Sequence, residues 1–433
     1  MQSKVVVIGL GKSGIASARL LARKGYTVFV SDIKEDDVTK NAVDTLIKEG
    51  LIDRDHFELG CHTERFIKMA DMVVLSPGVP ADSLPVRFAK DRGISIIGEL
   101  ELGYRNCPAR IIAVTGTSGK TTVTTLIGRM LERSGMDVVV CGNIGNPLTG
   151  EIDKIGRDSI VVLEVSSFQL EWIEHFRPKV SIILNISDNH LDRHRDMDEY
   201  VSLKMKIFSN QDRGDVVFLN GKDDIVRGLS KKIKGPRVEF FDEYKNYRQR
   251  FGIENDDYLA AVSVASNEGV DDKTMLSVIS EFRGIEHRLE YVSTIQGVDF
   301  INDSKSTTVA SVDWALKSIS GEIVLIMGGR YKGGDFSRLK DLILQKVRCV
   351  VSIGEASPII KKSLGSFIEV IEMPSLEEAV YLAFDRAKGC IKKDGKVLFS
   401  PGCSSFDMFK DYQERGRIFK EVCYGLVEST RCA

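Results

Sequence analysis

The stretch IIAVTGTSGKTTVTTLIGRML, residues 111–131, decides how the chain is read. A short apolar run rich in β-branched residues leads into a Gly/Thr/Ser turn, and the apolar residues that follow are spaced for one face of a helix. Strand, glycine turn and helix in that order make an anion site, because backbone N–H groups converge on one point and the helix directs its positive end there. Gly116, Thr117, Ser118 and Gly119 would cradle phosphates, Lys120 would reach the outer ones, and Thr121 or Thr122 would hold Mg²⁺. The loop is shorter than GxxxxGK[ST], since Val114 stands where that pattern has its first glycine.

Magnesium also needs carboxylates, and Glu164, closing the run SIVVLE, is the best-placed acid. The run ILNISDNHLDRH adds His190 beyond another strand end. His190 and His194 are four apart, but neither an HExxH glutamate nor a third soft ligand accompanies them, so zinc is not expected.

Outward from this loop, KVVVIG, TVFVSD, DMVVLSPG and VSIILNIS are further short strands closed by Gly, Asp or Ser, with helical spacing between them. That alternation predicts α/β architecture with parallel sheets whose ligands sit at the carboxyl ends of the strands. The pattern restarts at Ile111, after GISIIGELELGY, and again after EFRGIEHRLEYV, where VDFINDSKST, IVLIMGGR, CVVSIG and GKVLFSPG follow. A chain of 433 residues is too long for one core at about 150 residues per domain, so boundaries are expected near Gly98 and Glu286. The polar run FFDEYKNYRQRFGIENDD is expected to be a surface segment.

A net charge of −2, from 60 basic and 62 acidic side chains, offers no global field for nucleic acid or anionic lipid. The eight cysteines include no CxxC pair, as expected of reduced thiols without disulfides. No apolar run approaches the roughly 18 residues of a bilayer span, and the first residues enter a strand directly, so a cytoplasmic protein without membrane insertion is expected.

The chain opens with a second glycine loop, VVVIGLGKSGIASARLL, carrying Gly9, Gly11 and Gly14, and Asp32 closes the next strand. By itself this reads as a site for NAD or NADP. Hydride transfer, however, has no use for a second phosphate loop with a magnesium carboxylate.

Taken together, AVTGTSGKTT, LEVSSFQLE, NISDNHLDRH and YVSLKMKIF resemble the central domain of the Mur ligases, the ATP-dependent amide-forming enzymes of peptidoglycan precursor synthesis. The resemblance spans the whole chain. Within that family, GNIGNP, SSFQLE, NDSKSTT and SPGCSSFDMF point to the addition of D-glutamate to UDP-N-acetylmuramoyl-L-alanine.

The resemblance implies three α/β domains: a Rossmann-like UDP-substrate-binding domain over 1–97, a P-loop ATPase-like domain over 98–286 and a Rossmann-like amino-acid-binding domain over 287–433. It places Leu10, Gly11, Lys12, Ser13, Asp32, Ser76, Pro77, Gly78 and Asn143 around the UDP portion. Asn255, Arg288 and Asp303 would join the phosphate loop in holding ATP. Thr121, Glu164, His190 and a carbamylated Lys204 would hold two Mg²⁺ ions, with Lys206 an ordinary exposed lysine beside it. Lys305, Thr307, Lys332, Ser405 and Tyr412 would receive D-glutamate. The reaction implied is acyl-phosphate formation followed by amide closure, with ADP and phosphate released by a monomeric enzyme. Two departures stand out. Ala113 replaces a frequent Gly, and IENDDY replaces a GxHNxxN-like motif, keeping Asn255 but putting Tyr258 where a second asparagine is usual.

Overall fold

The computed structural model describes residues 3–187, 195–282, 284–331, 333–390 and 395–431. The chain divides into two compact units, one ending at Glu281 and the next starting at Phe282.

The first unit holds two parallel sheets. In one, β1 (Lys4–Ile8), β2 (Thr27–Asp32), β3 (Phe57–Leu59), β4 (Met72–Leu75) and β5 (Ser95–Gly98) lie in the order β3-β2-β1-β4-β5. In the other, β6 (Arg110–Thr115), β7 (Val138–Gly142), β8 (Ile160–Glu164), β9 (Val180–Ile183), β10 (Val216–Leu219) and β11 (Arg237–Phe240) lie in the order β11-β10-β9-β6-β8-β7. The central strands are apolar on both faces because helices cover both; Val5, Val6, Val7 and Ile8 are all fully buried. In each sheet the chain leaves the first strand to one side and later returns to the other, which opens a crevice at the carboxyl ends. The two glycine loops sit there, after β1 and after β6.

The second unit is one mixed sheet of β12 (Glu290–Ile295), β13 (Val298–Asn302), β14 (Ile323–Gly328), β15 (Val347–Ile353), β16 (Val370–Met373) and β17 (Lys396–Phe399), ordered β12-β13-β17-β14-β15-β16. Only the β12–β13 hairpin is antiparallel.

Every strand expected from the sequence is present; β3, β7, β10, β11, β12 and β16 are additional. The polar run from Phe240, expected as a surface segment, also contributes to the core. It forms a short 3₁₀ turn, Phe241–Glu243, and a helix, Lys245–Phe251, with Phe241 buried. Among the described residues Cys61, Cys107, Cys141, Cys349, Cys403 and Cys423 form no disulfide. No described helix is long and apolar enough to cross a membrane.

Candidate active site

Gly119 has φ +78 and precedes the helix Lys120–Arg133, so the turn closes in a left-handed conformation that favours glycine. A Cβ there would stand 2.3 Å from Asp257 Oδ1, so the start of the helix Asp256–Asn267 lies against the phosphate loop. Asn255 caps that helix, its Oδ1 accepting from the Asp257 N–H at 2.8 Å. Lys120 Nζ donates to the carbonyls of Gly116 at 3.0 Å and Thr117 at 3.1 Å. Thr121 is buried in the first turn of the helix, beside the half-buried Thr122.

Two residues that the sequence reading missed hold the loop's shape. Asn185, just past β9, accepts from the Ser118 N–H at 2.8 Å, and its carbonyl accepts from the Thr117 N–H at 2.9 Å. The Tyr200 hydroxyl lies 3.1 Å from Thr117 Oγ1. Asn185 stands at a strand end inside LNIS, which was the signal available for it.

Lys204 is 1 % exposed. Its Nζ donates to the Gly116 carbonyl at 2.9 Å and to Thr115 Oγ1 at 3.4 Å, and lies 4.6 Å from the centre of the Tyr200 ring. Burial first, and the Lys120 charge second, hold its pKa well below the usual lysine range. Lys206 departs from the exposed lysine expected. It is half-buried, and its Nζ donates to the Glu171 carbonyl at 2.7 Å because the helix has tightened into a 3₁₀ turn there.

Glu164 ends β8, in register with Val114 of β6 and Gly142 of β7. It is 2 % exposed; Oε1 accepts from Asn143 Nδ2 at 2.7 Å, while Oε2 is buried without a hydrogen-bond partner. A buried carboxylate oxygen with no donor is costly unless a cation completes it. Oxygen donors at a phosphate loop suit a hard divalent ion, so these residues fit Mg²⁺. His190 and His194 lie outside the described residues.

Asn143 also lines a cavity of about 750 Å³ bounded by the first glycine loop. Gly11, Lys12, Ser13, Asp32, Ser76, Pro77 and Gly78 line it as well. Leu10 does not: its side chain is in the core, and its N–H donates to Asp32 Oδ2 at 2.6 Å. The other Asp32 oxygen accepts from the Lys34 N–H at 2.8 Å, so this carboxylate braces the loop from below. Ser76 Oγ donates to the Gly9 carbonyl at 2.8 Å. Lys34 and His62 face the same cavity and carry no motif that would have identified them.

In the second unit the carboxyl ends of β13, β14 and β17 converge. Asp303 is buried, accepting from Ser400 Oγ at 2.7 Å and the Leu289 N–H at 3.2 Å, and burial raises its pKa to about 6. Arg288 stacks over Trp314 at 5.4 Å. Lys305 and Thr307 are half-buried, and the Lys305 N–H donates to the His287 carbonyl at 3.0 Å. Ser405 is buried, and Tyr412 opens the helix Tyr412–Arg431 with its ring edge-on to His287. Lys332 lies outside the described residues. Arg415, which the sequence reading missed, is fully buried and donates to the Ser304 and Cys403 carbonyls at 2.8 and 3.1 Å. It thereby ties the loop after β13 to the loop after β17, and burial pushes its pKa down to about 10.

A phosphate loop beside a buried acid and a buried lysine, in the same unit as a cavity at another glycine loop, is the layout of an α/β enzyme that handles two phosphorylated ligands. The models of the Mur ligase MurD-like N-terminal domain, the Mur ligase middle domain and the Mur ligase glutamate ligase domain match residues 3–98, 114–285 and 287–402. The UDP-N-acetylmuramoylalanine–D-glutamate ligase of Koribacter versatilis is 38% identical, covering 99% of this chain and 98% of its own. That of Geobacter sp. is 39% identical, with 96% of each covered. Among solved structures, MurF from Acinetobacter baumannii has a TM-score of 0.56 at 16% identity, covering 98% of this chain and 93% of that one. MurC from Thermotoga maritima has a TM-score of 0.55 at 20% identity, covering 98% and 99%. The chain belongs to the Mur ligase family, ATP-dependent enzymes that form amide bonds.

Proposed function

We propose that the chain joins D-glutamate to UDP-N-acetylmuramoyl-L-alanine, with ATP converted to ADP and phosphate, in peptidoglycan precursor synthesis. One observation carries this reading: Asn143 lines the cavity at the first glycine loop and hydrogen-bonds Glu164, so a UDP-linked substrate held there runs toward the phosphate loop.

The UDP portion rests on Gly11, Lys12 and Ser13, where backbone N–H groups and the start of the helix Lys12–Arg23 favour a diphosphate. ATP is assigned to residues 116–122 with Asn255 as a further contact, and Arg288 and Asp303 are the candidate nucleotide contacts of the second unit. The substrate carboxylate oxygen attacks the γ-phosphorus and ADP leaves, giving an acyl phosphate. Like charges must meet in that step, so positioning and neutralisation dominate, and Lys120 supplies the cation. The D-glutamate amine then attacks the acyl carbon, phosphate departs, and the amine proton is released. Lys305, Thr307, Lys332, Ser405 and Tyr412 receive the two D-glutamate carboxylates and its carbon chain. Mg²⁺, when bound by Thr121, Glu164, His190 and a carbamate on Lys204, adds charge neutralisation of the phosphate oxygens. The depressed pKa of Lys204 supports the carbamate, because only the neutral amine adds CO₂.

Three domains, over 1–97, 98–286 and 287–433, supply all these groups from one chain, which favours a cytoplasmic monomer acting on small molecules with no nucleic acid involved. The test is ADP release with UDP-N-acetylmuramoyl-L-alanine and a panel of D- and L-amino acids. Release that depends on D-glutamate is expected; equal release with an L-amino acid overturns the assignment.

A further inference from the structure

One wall of the cavity at the first glycine loop comes from the segment after β7, where Asn143, Gly145 and Pro147 line it. The start of that segment is pressed against Glu164: a Cβ on Gly142 would stand 2.3 Å from the Glu164 carbonyl oxygen, and Asn143 is bonded to Glu164 by side chain and backbone. Its other end enters the helix Leu148–Glu151 through Pro147, which offers no side-chain cap. The N–H groups of a first helical turn need an acceptor, and here it comes from outside the segment.

Glu99 supplies it. This residue opens the helix Glu99–Asn106, directly after β5 of the first sheet, and is buried. Its Oε1 accepts from the Thr149 N–H at 2.9 Å and from Thr149 Oγ1 at 2.8 Å, while Oε2 is buried without a hydrogen-bond partner. An orphaned carboxyl oxygen in the interior is costly, so the fold retains Glu99 here at the expense of stability. Burial pushes the carboxyl's pKa up, against the weaker pull of the two Thr149 bonds. Both bonds need only an acceptor oxygen, which the neutral acid provides. Two residues on, Glu101 accepts from the N–H groups of Glu174, His175 and Phe176 at 2.9, 3.0 and 2.9 Å. One helix thus fastens the segments that follow β7 and β8, and the second of these also reaches the cavity, through Gln169.

We propose that Glu99 is a positioning residue of the ligase: through Thr149 it holds the wall from Asn143 to Pro147 where a UDP-linked substrate must pass to reach the phosphate loop. Glu99 does not itself line the cavity. Without its two bonds the segment stays tethered at Asn143 but is released at Pro147, so substrate binding suffers before the fold does. The inference rests on the reading of this cavity as the UDP-substrate subsite and adds what holds its wall in place.

The test is steady-state kinetics and thermal melting of the full chain, for the parent, Glu99→Ala, Glu99→Gln, Thr149→Val and the double variant Glu99→Ala/Thr149→Val. Glu99→Ala should raise KM for UDP-N-acetylmuramoyl-L-alanine about tenfold and leave KM for ATP within about twofold. Glu99→Gln keeps an acceptor oxygen, so both KM values should stay within about twofold of the parent's. Thr149→Val loses the hydroxyl but keeps the N–H, and its KM for the UDP substrate should rise about threefold. The double variant should be no worse than Glu99→Ala, because Glu99 acts through Thr149. A merely structural residue would lower the melting temperature and the active fraction with both KM values unchanged. That pattern in Glu99→Ala, or in Thr149→Val where Glu99→Ala does not fold, overturns the proposal, as does an equal rise in both KM values or a loss in Glu99→Gln as large as in Glu99→Ala. Calorimetric titration of the parent with UDP separates the two failures. A parent that binds UDP beside a Glu99→Ala variant with unchanged KM values overturns the role of Glu99 alone, whereas a parent that does not bind UDP overturns the reading of the cavity and the role of Glu99 with it.

Discussion

Asn143 Nδ2 donates to Glu164 Oε1 at 2.7 Å, and the Asn143 N–H reaches the Glu164 carbonyl at 2.8 Å. A residue that lines the cavity at the first glycine loop is thus fastened twice to the acid that ends β8. Oε2 of the same carboxylate stays buried without a donor, a cost the fold bears at this position.

Glu164→Gln is expected to separate stability from activity. The amide keeps the acceptor for Asn143 and removes a buried charge, so the variant should melt at the parent's temperature or slightly above it. Turnover should fall at least about a hundredfold, because the carboxylate is the proposed cation ligand. Thermal melts with ATP and with and without Mg²⁺ check the cause. A magnesium-dependent rise present in the parent should be absent in the variant, and equal rises in both would remove Glu164 from the metal site.

The first glycine loop makes a paired prediction. A Cβ on Gly14 would stand 1.8 Å from the Gly9 carbonyl oxygen, so Gly14→Ala must displace backbone and should destabilise the protein by about 1–3 kcal/mol. Gly11 has φ −74 and nothing within 4 Å of its would-be Cβ. Gly11→Ala should therefore fold like the parent but bind UDP more weakly, because the methyl projects where the diphosphate approaches. Denaturant titration and UDP binding on the two variants check this; the reverse pattern would contradict the loop's assignment.

These two glycines also show where sequence reading succeeds. Gly9, Gly11 and Gly14 follow a strand at a spacing dictated by local backbone geometry, and the loop at 116–120 obeys the same logic, so both were legible from neighbouring residues alone. Asn185, Tyr200, His62 and Arg415 were not. Asn185 meets Ser118 across 67 positions, and Arg415 meets Ser304 across 111, so each acts through a partner that only the folded chain brings near. Lys206 was misread for a related reason: it was expected to be an ordinary exposed lysine beside Lys204, but the packed Glu171 carbonyl, 35 positions away in sequence, accepts from it. His190 and Lys332, both motif residues, lie outside the described residues.

Asp303 predicts a pH dependence in the second unit. Burial raises its pKa to about 6 from an ordinary 3.8, against the opposing pull of Ser400, Leu289 and Arg288. Between about pH 4 and 6 the unfolded chain gives up this proton while the folded chain keeps it, so the contribution favours folding at low pH and is lost as pH rises. The loss is on the order of 3 kcal/mol and complete above about pH 6 to 7. Asp303→Asn cannot ionise, so it should gain stability relative to the parent from pH 4 to pH 7. Denaturant midpoints at both pH values check this, and a constant difference between the two proteins would show that Asp303 ionises as readily folded as unfolded.

Lys204 and Lys206 give the sharpest contrast, because two residues separate them and their surroundings differ. Lys204→Ala removes the amine that would carry the carbamate, so acyl-phosphate formation should fall by several orders of magnitude. A short carboxylic acid can occupy the space left and restore an acid-like oxygen, whereas an amine of similar size cannot; partial rescue by the acid alone marks a carbamylated ligand. Carbon NMR of the parent after equilibration with labelled bicarbonate should show a carbamate signal that is absent from the variant. Lys206→Ala removes a hydrogen bond to the Glu171 carbonyl from a half-buried site, so it should cost about 1 kcal/mol of stability while turnover stays near the parent's. If Lys206→Ala is the inactive variant and Lys204→Ala the active one, the modified lysine has been misplaced. If rescue comes from the amine instead, Lys204 acts as a cation at the Gly116 carbonyl, and a carbamate on it has no part in the reaction.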